Sequence, residues 1–232
     1  MAAPASGMNK FYLLLGGAAL AGVAVIGFLL LRKPPVSVPV NAPIQVADTS
    51  GFRGYLLGNP SAPLEVTEYA DFECHACQQW FAVQFPSIEE RLINTGKVKW
   101  RYRDFPIDGA HRYARLAMHS AACANDQKKF WEVGKLIYSW EPAWPEQRDP
   151  LSTFRDYAAK SGLDLAAYDA CMSSGRYAGR IQASQNEGMS IGVNSTPTFL
   201  INGRLFAGNR TVTHDLLKAM VDSIAAAGPA AK

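Results

Sequence analysis

The sequence predicts an α/β fold with a helical insertion, preceded by one transmembrane helix, and three observations carry that expectation. Residues 64–103 alternate as a strand, turn to helical periodicity and then alternate again. Residues from about 111 to 192 read as helices throughout, and two short strands and an amphipathic helix follow them. Ahead of everything stands an uncharged run, Phe11 to Leu31.

The chain's 232 residues suffice for one sizeable domain with its own core. A composition of 48% hydrophobic and 19% charged residues excludes wholesale disorder and collagen-like repetition. The net charge of +3 belongs to the N-terminus, where residues 1–33 hold Lys10, Arg32 and Lys33 and no acid. Beyond them 20 basic residues face 20 acidic ones. A balanced body offers no electrostatic footprint for nucleic acid, and no such partner is expected. Four cysteines are too few for a disulfide scaffold of this length but suit two pairs.

The run FYLLLGGAALAGVAVIGFLLL, residues 11–31, would span about 31 Å as a helix, the hydrocarbon thickness of a bilayer. A cleaved signal peptide is the competing reading. It should end in a small-residue cleavage site, whereas Arg32-Lys33-Pro34-Pro35 follows here. The flanking charges barely set the orientation. Pro34, Pro35, Pro39 and Pro43 then mark a linker of extended polyproline character. The expected organisation is a short cytoplasmic tail (1–10), an anchor (11–31), a linker (32–57) and a folded domain (58–232) with its helical insert at about 107–192.

Within that domain Leu64, Val66, Glu68 and Ala70 alternate with Glu65, Thr67, Tyr69 and Asp71 as a strand. A helix is predicted from about Cys74 to Asn94, kinked at Pro86 and stopped by Gly96. Val98, Trp100 and Tyr102 alternate with Lys99, Arg101 and Arg103, a second strand with one wet face. The helical block breaks near Asn125, Glu141–Pro150, Gly162 and Gly175. His111 and His119, spaced by eight, are expected to decorate its first helix, and Trp131, Tyr138, Trp140 and Trp144 to serve as core. Thr198–Ile201 and Arg204–Phe206 flank Asn202-Gly203, a strong hairpin signal. Leu216, Leu217, Met220, Val221 and Ile224 belong to the closing helix.

Chemistry concentrates in two places. Cys74-His75-Ala76-Cys77 falls where a strand gives way to a helix. There the unpaired N–H groups and the positive end of the helix dipole favour a thiolate at Cys74, with Cys77 one turn inside. Attack by that thiolate and resolution by Cys77 is thiol–disulfide exchange. The same spacing is also half of many zinc sites, though no second C-x-x-C or His pair completes one. The other place is Ser195-Thr196-Pro197-Thr198. Pro197 is either a tolerated edge-strand proline or a cis proline that presents the Thr196 backbone to a passing peptide. Glu68 shares a strand face with Leu64, Val66 and Ala70, where burial should raise its pKa; the alternative is a strand-edge carboxylate turned to water.

Gly58 to Cys77 resembles the active-site segment of the DsbA-like disulfide oxidoreductases of the thioredoxin superfamily. Gly192 to Gly203 resembles their cis-proline loop and hairpin. Between these, Ala122-Cys123-Ala124, Lys129-Phe130-Trp131 and Ala170-Cys171-Met172 are similar to the insert of the four-cysteine members. The likeness covers roughly residues 58–227, and its two main motifs stand about 120 residues apart in the right order. It implies a thioredoxin-like fold with a redox-active Cys74–Cys77 pair and no cofactor or resident metal. Thr196 and Pro197 would be the substrate-docking loop, and Glu68 the buried acid that relays the proton of Cys77. Where many relatives carry proline this chain has His75, whose imidazolium would modulate the Cys74 thiolate; Asp71 and Glu73 oppose it. Cys123 and Cys171 are either a free pair of buried thiols or, as expected in an oxidising compartment where stable disulfides accumulate, a structural disulfide.

The expected activity is disulfide formation in cysteine-containing polypeptides on the extracytoplasmic side, with a membrane redox partner resetting the pair. Three rivals stand beside it. One is a membrane-anchored reductase or isomerase. Another is a copper or zinc module built on Cys74, Cys77 and His75. The third is a peptide-binding chaperone whose cysteines are only structural.

Overall fold

A computed structural model describes residues 51–140 and 143–227, together with positions 12, 16, 17, 21–23 and 27. The chain divides into two compact units, residues 1–37 and 38–232. Most of the expected anchor (11–31) and of the linker (32–57) lies outside the described residues, among which no helix is long and apolar enough to cross a membrane.

The second unit is an α/β fold around a mixed five-stranded sheet: β1 (Tyr55–Leu57), β2 (Leu64–Ala70), β3 (Val98–Asp104), β4 (Thr198–Ile201) and β5 (Arg204–Ala207). Its order is β1-β3-β2-β4-β5, with β2 and β3 parallel and the other pairs antiparallel. The parallel pair needs a crossover, and helix α1 (His75–Val83) with α2 (Phe85–Ile88) supplies it. Pro86 was expected to kink one long helix. Instead the helix breaks at Gln84, and Pro86 falls in the first turn of α2, where a missing N–H costs no hydrogen bond. A π-helical turn, Glu89–Ile93, then leads to β3.

The insert consists of α3 (Ala114–Asn125), α4 (Phe130–Ser139), a short 3₁₀ turn (Trp144–Glu146), α5 (Leu151–Lys160), α6 (Leu165–Ser174) and α7 (Ala178–Ser190); α8 (His214–Ala227) closes the chain. Local chemistry sets their ends. The Asp164 carboxylate accepts from the Ala166 and Ala167 N–H groups at the start of α6, and Gly175 takes the left-handed conformation at its end (φ 61°). At the hairpin Asn202 and Gly203 both have positive φ (49° and 76°), as a type I′ turn requires.

The main core lies between the crossover helices, the sheet and α8. Trp80 of α1 stacks on Trp100 of β3 (centroids 5.3 Å apart) and meets Phe199 of β4 at 4.7 Å. Leu64, Val66, Ile88, Val98 and Leu217 fill the space around them. Trp144 and Tyr138 are buried in the insert.

Two expectations need correction. The face of β3 carrying Lys99, Arg101 and Arg103 is wet only in part: Lys99 and Arg101 are half-buried, and α7 covers the C-terminal end and leaves Arg103 only 3% exposed. That guanidinium donates to the Phe52 carbonyl (2.7 Å) and pairs with Glu187 of α7. Gly188 lets α7 come this close: a Cβ there would stand 2.8 Å from the Phe105 ring. The second correction is β1, which falls inside the stretch read as linker. Its Tyr55 stacks on Phe130 with centroids 3.5 Å apart, fastening that segment to the insert.

Candidate active site

Asp71, just past the end of β2, shapes the turn that holds the cysteines. Its carbonyl accepts the Cys74 N–H (3.1 Å), and one carboxylate oxygen accepts the Glu73 N–H (2.9 Å). Such local bonding by an aspartate stabilises a turn. Cys74 then takes the N-cap position of α1 in extended conformation (φ −73°, ψ 118°). Its sulfur lies 3.5 Å from the Thr196 carbonyl oxygen, across 122 residues of chain. The Thr196–Pro197 bond is cis, and β4 begins at the next residue. The structure thus brings Cys74, Cys77, Thr196 and Pro197 together.

The two thiols are free and sit in different surroundings. Cys74 retains 8% exposure and Cys77 none. The thiol of Cys77 lowers the pKa of Cys74 to about 6, against the cost of burial; Thr196 and the N–H groups of Cys77 and Ala76 add to the lowering. Cys77 is held well above the usual thiol range, chiefly by burial. One cysteine is a thiolate at neutral pH and its neighbour a thiol, the division that exchange chemistry needs.

A direct consequence is pH-dependent labelling. With limiting iodoacetamide, Cys74 is expected to alkylate first, its rate reaching half of maximum at about pH 6. Because this pKa is depressed, the stabilisation of the reduced site is complete above the ordinary thiol pKa and is lost as pH falls through about 6. Peptide mapping checks the order, and Cys77 labelling first would reverse the roles.

Glu68 is buried in β2, 1% exposed, and Trp100 donates its indole N–H to Oε2 (2.9 Å). Desolvation raises its pKa to about 7, and the Trp100 bond holds it back from rising further. Its charge is coupled to Cys77.

His75, expected to modulate the thiolate, is exposed. Its Nε2 is engaged by the Gln79 amide (2.8 Å), and its ring lies 5.6 Å from that of Trp140. His111, read from sequence as helix decoration, instead precedes α3. Its Nδ1 is 2.7 Å from the second carboxylate oxygen of Asp71, which also accepts the Ile107 N–H. That hydrogen bond raises the pKa of His111, and the charge of Cys74 contributes in the same direction. Glu73 accepts the Tyr113 N–H (2.5 Å). Asp71 and Glu73, expected to oppose the thiolate, therefore spend their carboxylates on the insert. No spacing rule pointed to His111, because its contact is made by an irregular segment.

Cys123 of α3 and Cys171 of α6 form a disulfide (S–S 2.02 Å). His119, also expected at the surface, is 4% exposed and has Nε2 3.6 Å from Cys123 Sγ. Among the described residues His119, Cys123 and Cys171 have ligand atoms close enough to share a metal ion, but the two sulfurs are bonded to each other.

Residues 52–223 match the family model described as thioredoxin. A stretch of 156 residues is 33% identical to the Na(+)/H(+) antiporter NhaA 3 of Salinispora tropica, covering 67% of this chain but 22% of the antiporter. The chain thus spans about a fifth of that relative, and the likeness is to one part of it. The probable disulfide bond formation protein D of Bacillus anthracis is 26% identical over 64% of this chain and 70% of its own length. Among solved structures, Chlamydia trachomatis DsbA superposes with a TM-score of 0.65 at 17% identity, over 84% of this chain and 99% of its own, a likeness of fold.

Proposed function

This chain belongs to the thioredoxin family, and from that premise we propose that it is a DsbA-like thiol–disulfide oxidoreductase that passes the Cys74–Cys77 disulfide to cysteine-containing polypeptides. The observation that carries the reading is the Cys74 sulfur, set at a helix N-terminus against the carbonyl of Thr196 and favoured as a thiolate. A substrate thiolate attacks Cys74 of the oxidised pair. The intramolecular S–S bond breaks, a mixed disulfide forms, and Cys77 departs to be protonated by Glu68. A second substrate thiolate attacks the substrate sulfur of that mixed disulfide and expels Cys74 as a stable thiolate. Thr196 and Pro197 hold the substrate backbone beside Cys74 during both steps.

In this reading residues 11–31 anchor the protein, the folded unit lies on the extracytoplasmic side, and a membrane redox partner reoxidises the pair. The uncharged N-terminal run supports the anchor. The buried Cys123–Cys171 disulfide supports an oxidising compartment. Equilibration of Cys74 and Cys77 with glutathione tests the direction of transfer. A pair that is readily reduced supports the oxidase, and one that resists reduction supports a reductase.

A further inference from the structure

Asp71 and Glu73 put two carboxyl groups on the turn that leads into Cys74, a poor setting for a thiolate. The group set against them arrives from the insert. His111 lies on the irregular segment between β3 and α3, half-buried, with Nδ1 2.7 Å from Asp71 Oδ2. The same oxygen accepts the Ile107 N–H (2.9 Å), the other accepts the Glu73 N–H, and the Asp71 carbonyl accepts the Cys74 N–H. One aspartate therefore joins the imidazole to the turn that carries the nucleophile. Two residues beyond His111, the Tyr113 N–H donates to Glu73 Oε2 (2.5 Å) and fixes the segment at a second point. The Asp71 carboxylate is fully buried, whereas the His111 side chain keeps 20% exposure. The imidazole thus faces a buried anion and still reaches solvent to exchange its proton.

We propose that His111 is a proton store of the redox centre: its imidazole takes up a proton as the cysteine pair is reduced, and the imidazolium, held on Asp71, balances the new charge on Cys74. The proposal rests on the reading of Cys74 as the nucleophile. A substrate dithiol brings two electrons and two protons. The Cys74–Cys77 bond breaks, a disulfide forms in the substrate, and both electrons pass to the pair. One proton ends on Cys77 by way of Glu68. Cys74 stays a thiolate, so the second proton is left over. His111 holds it until reoxidation discharges the thiolate and the proton returns to solvent. The coupling is mutual: the thiolate raises the proton affinity of His111, and the imidazolium lowers that of Cys74. The hydrogen bonds at Cys74 supply the larger part of its lowering, so the share of His111 is modest. The titratable groups facing His111 are Asp71 at the end of β2 and Glu73 and Cys74 on the turn into α1. Asp104, at the end of β3, faces Asp71. His111 acts through Asp71 and through its own charge, as a positioning residue.

The ring protons of the four histidines are titrated by NMR in the full chain in detergent, once with the pair reduced and once with it oxidised. The His111 midpoint should be higher in the reduced protein by about half a unit, roughly a threefold change in proton affinity. His111→Asn keeps a donor near the position of Nδ1 and removes the charge. It should raise the midpoint of Cys74 alkylation from about 6 by about half a unit. At pH 7 it should also make the pair roughly threefold harder to reduce with glutathione. A role in folding alone would lower the thermal midpoint of His111→Asn and leave the Cys74 midpoint in place. Equal His111 midpoints in the two redox states overturn the proposal, as does an unmoved Cys74 midpoint in His111→Asn. If that variant does not fold, the titration of the unmodified protein decides alone. Labelling of Cys77 ahead of Cys74 in the unmodified protein would sink the nucleophile reading and the proton store with it. Cys74 labelled first, with equal His111 midpoints, removes only the proton store.

Discussion

Cys74→Ser is expected to lower disulfide transfer to a reduced two-cysteine peptide by ~10³-fold or more, the scale on which loss of a covalent nucleophile acts. A serine hydroxyl does not ionise at neutral pH, so the hydrogen bonds that favour a thiolate at this position have no anion to stabilise. Cys77→Ser should fail differently. Cys74 remains free to attack a disulfide-bonded peptide, and with no resolving thiol the mixed disulfide accumulates. Non-reducing electrophoresis and mass spectrometry should find it on Cys74. The opposite pattern, trapping in Cys74→Ser and none in Cys77→Ser, would exchange the two roles and contradict their burial.

Replacing the insert disulfide should act on stability and spare chemistry. Cys123 and Cys171 are 48 residues apart in sequence and join α3 to α6. Closing a loop of that length removes about 4 kcal/mol of chain entropy from the unfolded state. Cys123→Ala with Cys171→Ala should cost about that much, roughly 2–4 °C of melting temperature per kcal/mol at this size. Alanine leaves no unpaired hydroxyl in the space the sulfurs fill. Peptide oxidation below the lowered melting temperature should persist. Unchanged stability together with lost transfer would make this disulfide part of the catalytic machinery.

The parts of the molecule legible in the sequence are those governed by local rules. Strict alternation marks β2 and β3, Asn202-Gly203 marks the β4–β5 turn, and the glycines and polar clusters divide the insert into its helices. The surroundings of Glu68 were legible for the same reason, since alternation puts it among apolar neighbours. Contacts between distant segments were not. β1 is three residues long, too short to show a period, and it exists because Tyr55 to Leu57 pair with β3. The basic face of β3 reads as wet until α7, far along the chain, covers Arg103. A spacing of eight suggested one helix face for His111 and His119. The helix starts only at Ala114, which frees His111 to reach Asp71 and leaves His119 facing the disulfide.

The central claim is that Cys74 and Cys77 form a pair poised to give its disulfide away. A disulfide oxidant needs a stabilised reduced form, and the lowered pKa of Cys74 supplies that stabilisation at pH values above about 6. The most direct measurement is the equilibrium of the pair against defined ratios of reduced and oxidised glutathione at pH 7, read by the alkylation state of Cys74 and Cys77. The account predicts a reduction potential near or above about −200 mV, in the range of oxidases and isomerases. A potential near about −270 mV, the thioredoxin range, would contradict it and make the protein a reductase.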